Sequence, residues 1–231
     1  WGMDLRPRMY AISLGQKEVA ANDKLAEYVP TSHIGVEIGG GVGLHYHYGT
    51  LGQLEHGENY ATAYLRNLGA ESKSTKPQAK LKKLPYSKRK PIKLFIMAGH
   101  RNMEGERAFT QELAALDQEK HLLEPQNKVA YMYSLGGGYK TSDGWEVMRP
   151  AGCYDNFGPE ISFAAELSKH SGEQMAIAKF THSGSQIIDW TPEGSMAKTR
   201  HIYPTFLEFI KHSQQSLIAQ GYDVQIAGIF Y

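Results

Sequence analysis

Ile92-Lys93-Leu94-Phe95-Ile96-Met97-Ala98-Gly99-His100-Arg101-Asn102-Met103-Glu104-Gly105-Glu106-Arg107 is the stretch on which the fold turns. Residues 92–97 are apolar and β-prone apart from Lys93. A run of that kind reads as a parallel strand buried on both faces. Ala98-Gly99 breaks the strand, residues 100–103 form a polar elbow, and residues 108–116 carry a helical pattern. Strand, tight turn and helix in that order place the turn at the carboxyl edge of a parallel sheet, where open α/β folds bind ligands.

The rest of the chain agrees with an α/β reading. Residues 129–133, 175–180 and 223–231 are strand candidates. Residues 160–169 and 204–220 are helix candidates, the first opened by Gly158-Pro159 and the second stopped by Gly221. The expected architecture is a three-layer sandwich, a mainly parallel sheet with helices on both faces. Residues 136–138 and 141–156 read as long loops. Toward the N-terminus, residues 5–22 read as a helix, 25–29 as a short strand and 35–43, with five glycines, as a loop. Thr50 and Gln53 have capping-box spacing at the head of another helix.

Composition narrows the function. The 231 residues suffice for one α/β domain or two partial ones, and a 41% hydrophobic content supports a real core. A net charge of +1 gives no global field for nucleic acid or an acidic membrane. The single cysteine, Cys153, excludes an intrachain disulfide framework and a Cys-rich metal site. No apolar run approaches membrane-spanning length. Residues 71–91 hold seven lysines, Arg89 and three prolines with almost nothing apolar. This reads as an extended linker rather than a nucleic-acid tail, because no aromatics interleave the charge.

Gly99-His100-Arg101-Asn102-Met103-Glu104-Gly105 resembles the first block of the sialate O-acetylesterase-like carbohydrate esterases, a branch of the SGNH/GDSL hydrolases. That family reads Gly-Gln-Ser-Asn-Met-x-Gly there, with the serine as nucleophile. This chain has Arg101 at the serine position and His100 at the glutamine position. Gly158-Pro159 and residues 181–190 resemble two further blocks. His47, with Gly52-Gln53-Leu54-Glu55 and Gly57, resembles the family's last block, in which a catalytic histidine precedes the C-terminal helix. The blocks therefore stand in inverted order. That order implies a piece of a tandem protein: residues 1–70 as the C-terminal part of one esterase-like domain, 71–91 as linker, and 92–231 as the N-terminal part of a second. A circularly permuted single domain is the alternative.

The resemblance implies an SGNH/flavodoxin-like fold and a hydrolase that removes acetyl groups from sugar hydroxyls without a cofactor or metal. It implies a carbohydrate partner, an acetylated or acidic glycan, and a periplasmic or extracellular location. The alternative function is a catalytically degenerate carbohydrate-binding domain. His47 is the base candidate. The family's orienting aspartate would fall at Leu44, so Glu37 or a carbonyl would have to replace it. Arg101 cannot attack, since guanidinium stays protonated. It either pairs with Glu104 or Glu106 or offers a fork to an acidic sugar. The backbone N–H groups of Arg101 and Gly184 are the oxyanion-donor candidates, and Gly99, His100, Asn102, Gly184 and Ser185 are the oxyanion and substrate-binding candidates. Gly184 is equally readable as a turn glycine. Ser183 and Ser185 are expected to bond the loop backbone, and Trp145 and Trp190 to stack on sugar or pack in the core.

Overall fold

The computed structural model describes residues 7–31, 36–39, 45–68, 84–195 and 201–231; for 7–11, 36–39 and 45–47 it describes the backbone only. In chain order the elements are α1 (Pro7–Asn22), β1 (Val36–Gly39), β2 (His45–Tyr48), α2 (Thr50–Asn67), β3 (Ile92–Gly99), α3 (Arg101–Glu104), α4 (Thr110–Ala114), β4 (Gln126–Leu135), β5 (Lys140–Thr141), β6 (Glu146–Met148), α5 (Glu160–His170), β7 (Gln174–Thr181), α6 (Ile202–Ile218) and β8 (Val224–Phe230).

The main sheet runs β5-β4-β7-β3-β8, with β6 also on β4. β4, β7, β3 and β8 are mutually parallel. β5 and β6 are antiparallel additions. Side-chain parity sorts the layers, because successive residues of a strand face opposite ways. Phe95 and Met97 join Tyr131, Ile177 and Phe163 in the core beneath α2 and α5. Ile92, Leu94 and Ile96 join Ala130, Ala176, Ala178 and Leu217 beneath α6. The fold is thus the three-layer α/β sandwich that the buried strand implied.

Three local expectations fail. Residues 25–29 form no strand. The glycine-rich stretch read as a loop holds β1, which pairs antiparallel with β2. The loop read over 141–156 holds part of β5 and all of β6, short strands that pair antiparallel with β4.

The linker region divides. Residues 69–83 lie outside the described residues. Residues 84–91 are docked: the Tyr86 hydroxyl donates to the Met175 carbonyl and accepts the Ala130 amide at 2.7 Å. Residues 84–91 therefore pack on the sheet instead of extending away from it. Ahead of it, α2 is seated in the sheet's own core. Leu54, Tyr60 and Ala61 are buried there with Phe95 and Phe163. A Cβ on Gly57 would stand 2.1 Å from Ser162 Oγ and 2.2 Å from the Pro159 carbonyl oxygen, so α2 and α5 touch through bare backbone.

Candidate functional site

Register creates the site. Gly99 at the end of β3 lies beside Thr181 at the end of β7. The elbow and the 182–186 segment therefore leave the sheet side by side. The His182 amide donates to the Gly99 carbonyl at 3.1 Å and closes the seam.

α3 is the elbow itself. Gly105 ends it in the left-handed region at φ 84°, and a Cβ there would stand 1.7 Å from the Phe157 carbonyl oxygen. Only glycine fits that turn. Met103 is buried in the core. Asn102 pins the elbow from outside it. Its Oδ1 accepts the Tyr48 amide at 3.2 Å, and its carbonyl accepts Gln53 Nε2 at 2.6 Å. Gln53 is therefore committed to Asn102, and the capping box read from Thr50 and Gln53 does not form. Thr50 instead donates to Glu112 at 2.7 Å.

These bonds bring the end of β2 to the elbow. His47 is the residue before Tyr48, and the β1–β2 register sets Glu37 opposite His47. The side chains of both lie outside the described residues, as does Leu44. The two blocks, far apart in the sequence, nonetheless meet here through the side chains of Asn102 and Gln53.

Arg101 takes the local-acid option. Its Nε lies 3.2 Å from Glu106 Oε2, with about a third of each side chain in solvent. Glu104, the other acid considered for Arg101, is buried and points under the elbow. It accepts Ser183 Oγ–H at 2.8 Å and Thr181 Oγ1–H at 3.1 Å. Ser183 thus bonds a carboxylate rather than loop backbone. Ser185 follows expectation, donating to the His182 carbonyl at 2.7 Å.

The Gly184 amide, an oxyanion-donor candidate, is already engaged. It donates to His100 Nε2 at 2.8 Å. That bond needs an unprotonated ring nitrogen. Burial, and next the Arg101 guanidinium, lower the His100 pKa from its ordinary value and keep the ring neutral. Gly184 also has φ 80°, so its turn role holds as well.

Trp145 packs against the α6 face and donates to Ser216 Oγ at 2.7 Å. Trp190 donates to Ser185 Oγ at 3.0 Å and packs edge-on against Phe180. Both read as structural. Cys153 is no reserve nucleophile. Burial, with Glu104 alongside, pushes its thiol up to about 11, and only thiolate attacks.

Two features were not legible as site residues. Glu104 looks like a surface acid of a short helix until Thr181 and Ser183 fold over it. Under the elbow, Lys179 Nζ lies 2.6 Å from Glu160 Oε2 with both side chains sealed from water. A lysine inside the apolar strand pattern was the available signal. A cavity of about 900 Å³ opens between α1, α2 and the ends of β3 and β8, reached by His56, Tyr48, Tyr60, His100, Asn102 and Tyr231. Among the described residues, no group of His, Cys, Asp or Glu could hold a metal ion, and no helix is long and apolar enough to cross a membrane.

Residues 91–231 match the family model described as carbohydrate esterase, sialic acid-specific acetylesterase. Comparison with curated proteins and with solved structures gave no match. The matched stretch covers the elbow, the Gly158-Pro159 corner and the 182–186 segment, well over half of the sequence, and on that extent the chain belongs to the carbohydrate esterase, sialic acid-specific acetylesterase family.

Proposed function

We propose that this chain is a carbohydrate-esterase domain that holds an acetylated sugar at the carboxyl edge of β3 without cleaving the ester at the elbow. One observation carries the reading: Arg101, which the resemblance puts at the position of the family's nucleophilic serine, has its guanidinium paired with Glu106. Acyl transfer needs a nucleophile beside a base and free N–H donors at the oxyanion. The Cys153 thiol is pushed up, and the Gly184 amide is spent on His100. The engagement of Arg101 also favours a structural role over an anion site for acidic sugars.

In this reading the partner is a glycan, its binding requires no cofactor, and the protein works outside the cytoplasm. Residues 1–70 belong to one esterase-like domain and 92–231 to a second, with α2 supplying the face that the second requires. The inverted block order supports this division.

The test is a paired measurement. Hydrolysis of acetyl esters stays at background while an O-acetylated sialic acid binds. Turnover that survives Arg101→Ala would restore the hydrolase reading with a different nucleophile. Turnover that Arg101→Ala abolishes would give the arginine a direct part in it. Absence of sugar binding would remove the binding reading altogether.

A further inference from the structure

Tyr139 and Tyr154 stand on two loops tied to the end of β7 and to the elbow, with 74% and 69% of their surfaces in water. Their rings lie 6.2 Å apart between centroids and within 25° of parallel. At that separation near-parallel rings are strongly offset, so each leaves most of a face open.

The loops beneath them are fixed. Gly136, Gly137 and Gly138 all take left-handed φ, at 61°, 70° and 92°, and turn the chain to present Tyr139. The Gly137 amide donates to the Thr181 carbonyl at 2.9 Å, which ties this loop to the end of β7. Tyr154 sits before Asp155, the one non-glycine with positive φ among the described residues, at 54°. Asn156 holds that turn. Its Oδ1 accepts the Tyr154 amide at 3.0 Å, and its Nδ2 donates to the Gly105 carbonyl of the elbow at 2.9 Å. Lys140 Nζ then joins the two loops through the Gly152 carbonyl at 2.9 Å. A Cβ on Gly136 would stand 3.5 Å from Cys153 Sγ and 3.7 Å from Glu104 Oε1, so both loops rest on the elbow's buried acid.

We infer that Tyr139 and Tyr154 form a stacking platform for a second, uncharged pyranose ring of a glycan whose acetylated residue sits at the elbow. This rests on the carbohydrate reading above and adds a subsite to it. A pyranose presents an apolar C–H face and a rim of hydroxyls. Open tyrosine faces with phenol edges match both. Loops already tied to Gly105 and Thr181 need little ordering when the ring arrives, which is where affinity is usually lost.

The test uses the full chain and two probes, O-acetylated sialic acid as the free monosaccharide and the same residue carried on lactose. The lactose-linked probe binds about tenfold more tightly, the scale of one aromatic contact. Y139A/Y154A erases that difference and leaves the monosaccharide affinity unchanged; Y139F/Y154F keeps it. Equal binding of both probes by the unmodified chain overturns the platform and leaves the sugar reading intact. A preference that survives Y139A/Y154A overturns it too. Binding of neither probe sinks the sugar reading and the platform with it.

Discussion

Lys179 Nζ and Glu160 Oε2 are 2.6 Å apart, with 0% and 1% of the two side chains exposed. Arg101 Nε and Glu106 Oε2 are 3.2 Å apart, with 32% and 34% exposed. Both pairs attend α3, one beneath it and one at its opening residue. The buried pair is built into the fold. Lys179 Nζ also reaches the Glu104 carbonyl at 3.5 Å, and Glu160 Oε1 accepts the Gly158 amide at 3.1 Å. The other pair has about a third of each side chain in water, although Glu106 Oε2 itself is sealed. The same chemistry is therefore structural in one place and dispensable in the other, and burial decides which.

The sharpest way to break this contrast is Lys179→Met. It leaves Glu160 sealed without its partner, and is expected to cost about 3–5 kcal/mol of stability in urea unfolding. A loss below about 1 kcal/mol would mean that water enters under α3 and that the two pairs are alike.

A second test moves the contrast to a buried group with no partner charge. His56 is buried, its Nδ1 has no hydrogen-bond partner, and its ring lies between Tyr48 and Tyr60 at 5.2 and 4.4 Å. Burial lowers its pKa from 6.5 to about 4. The unfolded chain then binds the extra proton between those values. Stability falls as pH drops from 6.5 toward 4, by about 3 kcal/mol in all. Denaturation measured across that window checks it, and His56→Phe flattens the profile. An equally steep profile in His56→Phe assigns the acid sensitivity elsewhere.

Gly57→Ala asks whether α2 is seated on α5 as tightly as Lys179 is on Glu160. The added methyl meets Ser162 Oγ and the Pro159 backbone. Overpacking of this kind costs about 1–3 kcal/mol. Unchanged stability would show that α2 stands off the sheet in solution, and with it the end of β2 that reaches the elbow.

The smallest effect belongs to Arg101→Ala. Its loss is expected to stay within about 1 kcal/mol, and O-acetylated sialic acid should bind the variant with unchanged affinity at low and high salt. A binding loss that salt also reproduces would return Arg101 to the role of an anion site.

The β3 stretch was readable because burial on both faces leaves a continuous apolar run, and the turn after it needs glycine at a fixed position. α5 and α6 were readable from their apolar periodicity and their Pro and Gly punctuation. β1, β5 and β6 were not. They are four, two and three residues long, and strands that short owe their state to a partner rather than to their own pattern. Gln53 shows the same limit at one residue. Its local spacing offered a cap, and a carbonyl forty-nine positions away claimed it. At the site, the frame was legible and the wiring was not. His100 on Gly184, and Thr181 and Ser183 on Glu104, depend on β3 and β7 ending in register.

Asn102 gives the elbow a further property. The bonds that fix α3 from outside run through its carbonyl and its side chain, to Gln53 and Tyr48, and those that fix it from below run through Glu104. None passes through the side chain at 101. The position behaves as a socket whose walls do not depend on what is plugged into it. Residue 101 can then change with little effect on folding, and what the position does is decided by the side chain it carries.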